Sequence, residues 1–360
     1  MIPKYKIPHL PIREELETRA ILKKLAVAHR FLAELNGMAQ SIPNQSVLLS
    51  TLALQEANKS TAVENIVTTQ DEVFKSSIEL DEYASPAAKE VSRYFQALLD
   101  GFDHLQATKG AISQNVIISM YQSIKATDAG FRNGPGTHLK NQKTGEVDYV
   151  PPQSLTDIKT HMGNLENYIN TDVDSETDPL VKLAIIHHQF ESIHPFTDGN
   201  GRVGRLLNVL YLVQQDLLDL PILYLSRYIT QNKDSYYSLL NSTRDTGDWG
   251  PWIIFILDGI IETSQFTTGL IVQIRSLMAE MKNTLRENHK KIYSQDLLNN
   301  LFRHPYTRIE FVQTDLDISK ATAIRYLDAL SESGVVEKHR RGRKNYYINR
   351  PLVDLFMDQD

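Results

Sequence analysis

One stretch of twelve residues, His194–Arg205, restricts the fold of this chain more than any other part of the sequence. It reads His-Pro-Phe-Thr-Asp-Gly-Asn-Gly-Arg-Val-Gly-Arg, and apolar residues at helical spacing lie on both sides of it. The upstream pattern begins at Asp178-Pro179, a favourable N-cap followed by proline at the first helical position. The downstream pattern runs over residues 202–214. The twelve residues are therefore predicted to form a loop that leads into the N-terminus of a helix.

The predicted start of the downstream helix is suited to bind an anion. Free backbone N–H groups converge there, and the helix dipole is positive at this end. Gly199 and Gly201 let the backbone approach a ligand closely, and the guanidinium groups of Arg202 and Arg205 fit phosphate oxygens. The alternative is a plain loop between two core helices, with its charges facing water. Single parts of the motif fit that alternative, whereas the joint pattern favours an anion site.

These residues also resemble a known family. The pattern His194-Pro195-Phe196-x-Asp198-Gly199-Asn200-Gly201-Arg202-x-x-Arg205 matches the signature of the Fic family at every specified position, and the resemblance extends over about residues 50–265. Most members transfer AMP to hydroxyl groups of proteins. The resemblance implies that His194 takes the proton from the target hydroxyl and that Asp198 holds Mg²⁺ through the phosphates of ATP. The residues expected to bind the nucleotide are Gly199, Asn200, Gly201, Arg202, Val203, Gly204, Arg205, Tyr236 and Tyr237.

Tyr236 and Tyr237 lie in the helical segment after the motif. Their rings are candidates for one wall of an adenine pocket, and the family often has two tyrosines near this place. Core packing is the alternative for each of them.

A second, shorter motif lies far upstream. Ser60-Thr61-Ala62-Val63-Glu64-Asn65 fits the pattern Ser/Thr-x-x-x-Glu-Gly/Asn, which resembles the autoinhibitory segment of Fic proteins. Ser60 is expected to cap a short helix that projects Glu64. The resemblance implies that Glu64 pairs with Arg205 and takes the place of the terminal phosphate of ATP, as in the subclass with an N-terminal inhibitory segment. A plain capping box, or a glutamate exposed to water, is the alternative.

A β-hairpin is predicted within residues 131–152, with its turn at Lys143-Thr144-Gly145-Glu146. The family has a flap here that ends in a similar Pro-Pro. An exposed edge at Tyr149 and Val150 would pair with an extended segment of the target protein by strand addition. An ordinary surface hairpin is the alternative.

The C-terminal segment has a composition of its own. Residues 290–350 carry 12 Lys and Arg against 7 Asp and Glu, in a chain with a net charge of −6. The predicted elements are helices over about 294–302 and 307–316, a helix from Ser319 to Gly334, and strands at 335–339 and 345–348, joined by Arg340-Arg341-Gly342-Arg343-Lys344. This order resembles a winged helix-turn-helix domain, which implies DNA binding. Dimer contacts or recruitment of a target protein are the alternatives.

The composition narrows the class of protein. At 360 residues the chain is long for one hydrophobic core, so we predict domains over residues 1–110, 111–289 and 290–360. The chain has no cysteine, which excludes disulfides, cysteine-ligated zinc and a thiol nucleophile. No apolar run approaches the roughly 20 residues of a membrane span, and the N-terminus lacks the apolar region of a signal peptide. We therefore expect a cytoplasmic enzyme without a membrane partner.

Helical patterns dominate the rest of the chain. They lie over about 14–36 and 46–57, twice within 80–130, and over the block from 178 to 289. The predicted fold is mainly α: a Fic-type helical core with a small β-hairpin flap, followed by a winged helix-turn-helix domain.

The sequence thus predicts an enzyme that transfers AMP from ATP, with Mg²⁺, to a Ser, Thr or Tyr hydroxyl of a protein. The reaction releases pyrophosphate, Glu64 inhibits it, and the chain itself is among the candidate targets. A homodimer is a candidate assembly. Two alternatives stay open: Glu64 positions water for the removal of AMP, or the chain is a DNA-binding regulator whose Fic core is a sensor.

Overall fold

The computed structural model describes residues 5–69, 72–74, 85–108, 110–140, 144–171, 173–223, 225–341 and 344–357. The fold is mainly helical with small antiparallel strands, as predicted. The elements, in chain order, are α1 (Arg19–Ala39), α2 (Ser46–Val63), α3 (Pro86–Ala107), α4 (Gln114–Lys125), β1 (Leu139–Lys140), β2 (Val147–Tyr149), α5 (Leu155–Asn170), α6 (Pro179–Ile193), α7 (Asn200–Gln214), α8 (Leu225–Gln231), α9 (Lys233–Thr246), α10 (Gly250–Asn288), α11 (Gln295–Arg303), β3 (Tyr306–Thr307), α12 (Ile309–Leu316), α13 (Lys320–Glu332), β4 (Glu337–Arg341), β5 (Lys344–Ile348) and α14 (Arg350–Met357).

Helices α6 and α7 form the centre of the molecule. Every residue of α6 from Leu180 to Ile193 is buried, and so is every residue of α7 from Arg202 to Val213. Helices α2, α3 and α4 pack against α7, while α5 and α10 pack against α6. The loop between the two central helices is therefore fixed at both ends by elements that cannot shift without disturbing the core.

Helix α2 is also buried around most of its circumference, which is unusual for a helix near the start of a chain. Its apolar residues do not form one stripe, because it packs against α3, α8 and α11 on different sides. This helix carries the short motif that ends in Glu64. It is anchored on several sides before it reaches that residue.

Helix α5 is present although we did not predict it. Ser154 caps it by accepting a hydrogen bond from the backbone N–H of Asp157 at 3.1 Å. Its buried residues are Ile158, Met162, Leu165, Tyr168 and Ile169. They follow the helical period, so the signal was in the sequence.

The predicted hairpin is short. Leu139 pairs with Tyr149, and Lys140 pairs with Val147, in an antiparallel ladder. Residue Lys143 of the predicted turn lies outside the described residues. Strand β2 leads directly into Pro151-Pro152 and the cap of α5.

The C-terminal segment contains the three predicted helices and the predicted pair of strands. The structure adds β3 and α14, which we did not predict, and the strand order is β3-β5-β4. Gly342 and Arg343 of the basic turn lie outside the described residues. The winged helix-turn-helix identity of this segment stays a prediction, as do the three domain boundaries. Within the described ranges, no helix is both long and apolar enough to cross a membrane.

Candidate active site

His194 ends helix α6 in a left-handed conformation. Its φ is +48°, and its backbone N–H donates to the carbonyl of Phe190 at 3.0 Å. Two residues later Phe196 is fully buried and stacks on Tyr121, with 4.0 Å between ring centroids and 8° between the planes. Arg132 donates from Nε to the His194 carbonyl at 2.8 Å. The chain around His194 is therefore held by packing on one side and by a buried guanidinium on the other.

The environment of His194 keeps its imidazole neutral. The surrounding protein desolvates the ring and lowers its pKa to about 3, and the positive charges of Arg244 and Arg132 act in the same direction. The backbone of Glu191 and the Asp198 carboxylate oppose this shift of the pKa only in part. At neutral pH the partly exposed ring is thus able to accept a proton.

Asn200 uses its side chain within the loop, and its predicted part in binding the nucleotide stays a prediction. Its Oδ1 accepts from the backbone N–H of Phe196 at 2.9 Å, and its Nδ2 donates to the Phe196 carbonyl at 2.8 Å. The side chain is buried. Both halves of the amide therefore close the loop, and only the backbone N–H of Asn200 stays available for an anion.

The start of α7 has the geometry of an anion site. Gly199 has a φ of +79° and is followed by the first turn of the helix. An α-helix leaves the N–H groups of its first turn without intrahelical acceptors. In α7 these are the N–H groups of Asn200, Gly201 and Arg202. These N–H groups and the flanking arginines support the predicted site at this position.

Val203 and Gly204 pack in the helix pair below this site, and their predicted contact with a nucleotide stays a prediction. The Val203 N–H donates to the carbonyl of Gly199 at 3.1 Å, and its side chain lies in the core. Gly204 lies where α7 crosses α6: a Cβ at this position would be 2.9 Å from Glu191 Oε1 and 3.0 Å from a ring carbon of Phe190. Both residues build the helix pair that carries the site.

Arg205 is buried and contacts the short upstream motif. Its Nη2 lies 2.9 Å from Glu64 Oε1, and the same nitrogen donates to the Ser60 carbonyl at 2.7 Å. Its Nε donates to Ser60 Oγ at 2.8 Å. Burial lowers the pKa of Arg205, but several opposing effects, the Glu64 carboxylate first among them, together outweigh burial and hold the pKa above its ordinary value. The predicted pair of Glu64 and Arg205 is present.

Ser60 is not an N-cap, so the predicted short helix that begins there is wrong. Ser60 lies in the last turn of α2, and Glu64 is the C-cap residue. Asn65 follows with a φ of +61°. Its N–H donates to the carbonyl of Ala62, and the N–H of Ile66 donates to that of Thr61. This is the Schellman arrangement, whose left-handed position admits Gly or Asn.

Arg202 lies in a network of four charged side chains. It forms an ion pair with Glu90 of α3, and its Nη2 is 3.4 Å from Asp198 Oδ1. Lys125, the last residue of α4, donates to Asp198 Oδ2 at 2.6 Å. Burial lowers the pKa of Arg202 to about 10, so the guanidinium stays charged at neutral pH. Two cations and two anions thus meet beside the start of α7.

Asp198 fits the predicted Mg²⁺ ligand. Magnesium in nucleotide sites is held by one or two carboxylates together with phosphates and water. The Asp198 side chain is 65% exposed and lies beside the anion site. Among the described residues there is no group of three or more His, Asp or Glu side chains placed to hold a metal without such phosphates.

The two tyrosines of α9 have different surroundings. Tyr236 is buried, and its hydroxyl lies 2.8 Å from Nε2 of His187 in the core. Its ring and hydroxyl are both engaged in the core, which was the alternative, and its contact with adenine stays a prediction. Tyr237 is partly exposed, and after burial the Glu64 carboxylate is the largest cause that raises its pKa. Tyr237 stays a candidate for the nucleotide site.

Tyr149 anchors the hairpin instead of offering a free side chain to a target. It is buried, donates to the Ser192 carbonyl at 2.8 Å and lies under the guanidinium of Arg244, 4.2 Å from its ring centroid. Val150 is partly exposed. A target segment would thus pair with backbone groups of the hairpin, while Tyr149 ties the hairpin to the residues just before His194.

Four residues of the site were missed by sequence reasoning: Glu90, Lys125, Arg132 and Arg244. They come from α3, α4, the segment before the hairpin and α9, and none has a motif spacing to the residues that it contacts. Only the fold brings them to the loop.

Comparisons with known proteins agree with this geometry. Residues 22–103 match the model of the Fic/DOC family N-terminal region, and residues 111–212 match the Fic/DOC family model. Residues 277–352 match a model described as protein adenylyltransferase SoFic-like, C-terminal domain.

The curated relatives that this chain matches include Fic proteins from two Drosophila species. Protein adenylyltransferase Fic from Drosophila willistoni is 32% identical over 110 residues, which are 31% of this chain and 20% of that protein. The Drosophila virilis protein of the same name has the same identity over 110 residues, 21% of its length. The chain thus spans about a fifth of these relatives.

Two solved structures share the fold. A Fic family protein from Desulfovibrio desulfuricans G20 has a TM-score of 0.60 at 19% identity, over 95% of this chain and 98% of the other. A Fic domain containing signaling protein from Bacteroides thetaiotaomicron VPI-5482 has a TM-score of 0.55 at 16% identity, over 69% and 97%.

Proposed function

Because the chain belongs to the Fic/DOC family, whose two models together match more than half of it, we propose that it transfers AMP from ATP to a Ser, Thr or Tyr hydroxyl of a protein. Pyrophosphate is the other product. The observation that carries the proposal is the neutral imidazole of His194 beside the anion site at the start of α7.

The residues of the site have separate parts in this reaction. The first-turn N–H groups of α7 bind the phosphates, and Arg202 and Arg205 neutralise their charge. His194 accepts the proton of the target hydroxyl, whose oxygen then attacks the α-phosphorus while the bond to pyrophosphate breaks. Asp198 would hold Mg²⁺, which supplies further charge neutralisation on the phosphates. The hairpin would align an extended target segment by backbone pairing.

Autoinhibition by Glu64 is part of the proposal. Its carboxylate lies on Arg205, the residue that would hold the terminal phosphate of ATP. It also lies directly over Gly201, so a bound phosphate at the helix start would meet a like charge. While Glu64 stays on Arg205, ATP is kept out of the pose in which its α-phosphate faces the attacking hydroxyl.

The transfer is tested with α-labelled ATP, Mg²⁺ and candidate target proteins, the chain itself included. We expect Glu64→Gly to label protein, and Glu64→Gly with His194→Ala to label it about 10² to 10⁴ times more slowly, the usual loss of a general base. Nucleotide binding should be nearly the same in both variants. Failure of wild type and of Glu64→Gly to label any protein would overturn the proposal.

Two other functions stay as predictions. For removal of AMP, wild type would release AMP from a modified target and Glu64→Gly would not.

For DNA binding by residues 290–350, a gel shift with genomic fragments would persist at moderate salt, because base contacts survive where phosphate contacts alone do not.

A further inference from the structure

Lys125 has no place in the motifs, yet its ammonium lies at the anion site. Its Nζ is 2.6 Å from Asp198 Oδ2 and 3.6 Å from Glu90 Oε1. Its aliphatic stem runs along the loop: a Cβ on Gly199 would be 3.4 Å from Lys125 Cδ. The side chain is 27% exposed, so most of it is in contact with protein.

The backbone position of Lys125 is well defined. It is the last residue of α4, and Ala126 follows in the left-handed conformation as the C-cap. Tyr121, one turn earlier on the same helix, stacks on Phe196 of the loop. Helix α4 therefore fixes where the lysine stem starts, while the flexible stem lets the ammonium move by several ångströms.

The partner of this ammonium is the carboxylate that the proposed function assigns to Mg²⁺. An ammonium group and a divalent cation compete for the same carboxylate oxygens. Once a metal on the phosphates takes Asp198, Lys125 loses its nearer partner and keeps only Glu90, at 3.6 Å. A bound triphosphate is then the strongest anion within its reach. Its positive charge then lies where phosphate charge accumulates.

We propose that Lys125 is a further phosphate-binding residue of the nucleotide site. In the empty site its ammonium neutralises Asp198. When ATP binds, the ammonium contacts the triphosphate, and a metal that takes the Asp198 carboxylate frees it further for this contact. This inference rests on the proposed function, since it needs ATP at the start of α7.

Binding of ATP in the Glu64→Gly background tests the inference without using the transfer reaction. Lys125→Met keeps most of the stem and removes the charge. Lys125→Arg keeps the charge, and Lys159→Met is the matched control, because Lys159 is exposed on α5. The Kd of ATP is measured by calorimetry with EDTA and again with excess Mg²⁺, and the Kd of adenosine is measured alongside.

We expect Lys125→Met to weaken ATP binding in EDTA by about fivefold or more, the loss for one unit charge at about 4 Å in a water-like dielectric. Mg²⁺ should strengthen ATP binding more in Lys125→Met than in Lys159→Met, because no ammonium competes for Asp198. Adenosine binding should stay unchanged, and Lys125→Arg should retain most of the ATP affinity.

Equal ATP affinities of Lys125→Met and Lys159→Met in EDTA would overturn the inference and leave the proposed function intact. A parallel loss of adenosine binding would also overturn it, because it would show a distorted site instead of a missing charge. If Glu64→Gly itself bound no ATP, the proposed function would fall and this inference with it.

Discussion

Burial and the charges of neighbouring side chains set the pKa of each titratable residue at the site. Arg205, Arg244 and Arg132 are buried around the loop, and each donates hydrogen bonds to neighbouring oxygen atoms. Among the residues close to them, His194 has its pKa lowered, whereas burial raises the pKa of Glu191 to about 7. Burial is therefore the main reason that the base stays unprotonated, and the positive charges of Arg244 and Arg132 act in the same direction.

A pH titration of His194 follows from this environment. Because its pKa in the folded protein is about 3, the ring should stay neutral from pH 8 down to pH 5, where an ordinary histidine becomes charged. The unfolded chain takes up this proton near pH 6.5, so this residue lowers the free energy of unfolding as the pH falls from about 6.5 towards 3.

The ring signal of His194 in an NMR spectrum, identified by its absence from His194→Ala, should not move between pH 5 and 8. Movement with a midpoint near pH 6.5 would show that the surrounding protein does not desolvate the ring, and it would contradict this environment.

The sequence motifs predicted the positions of some site residues and not the surroundings of others. The positions of His194, Asp198 and the Glu64–Arg205 pair agree with the motif. The side chains of Asn200, Val203 and Tyr236 are engaged in the loop or the core, and motif letters do not tell which side chains the core or the loop itself uses. Nucleotide contacts of these residues and of Gly204 stay predictions. The sequence pattern is the same for a residue that binds a ligand and for one that shapes the loop.

At the scale of elements, the end of α2 decides where Glu64 lies. The Schellman arrangement requires a left-handed residue directly after Glu64, and Asn65 supplies it. The motif position that admits Gly or Asn is thus a helix stop, and the Glu before it is aimed by the geometry of that stop. We predicted a helix start here, because Ser before Glu also fits a capping box.

Substitutions of Asn65 separate this conformational role from its side-chain contact with Lys233, which is 2.9 Å from Asn65 Oδ1. Asn65→Gly and Asn65→Val both remove that contact, but only valine disfavours the left-handed backbone, by about 1–2 kcal/mol. We expect Asn65→Val to increase labelling of a target about 5- to 30-fold over Asn65→Gly, as Glu64 leaves Arg205 more often. Equal labelling by the two variants would show that the helix stop does not control Glu64.

Elements were predicted best where an apolar period and a cap agree. Helices α6 and α13 lie close to their predicted ranges, since Asp178 and Ser319 cap them and their apolar residues are periodic. Strand β3 has two residues and pairs with β5, about forty residues away. Such short, long-range pairs leave no local signal, so the sequence alone does not indicate them.

For the whole molecule, the contact between Glu64 and Arg205 depends on how α2 is held. It packs against the core through α3 and α8, and against the C-terminal segment through α11. Glu56 of this helix accepts hydrogen bonds from Tyr94 of α3 and from Ser226 of α8, and burial raises its pKa to about 7. Glu64 therefore projects from a helix that several parts of the fold hold in place, and tethering gives its carboxylate a high effective concentration at Arg205.

The central claim is that this tethered carboxylate and the terminal phosphate of ATP compete for one guanidinium. The most direct measurement is the rate of labelling with α-labelled ATP by wild type, Glu64→Gly, Arg205→Ala and the double variant over a range of ATP concentrations. We predict at least about tenfold faster labelling by Glu64→Gly than by wild type, incomplete relief by ATP alone, and equally slow labelling by Arg205→Ala and the double variant. Wild type as fast as Glu64→Gly, or a double variant as fast as Glu64→Gly, would contradict the claim.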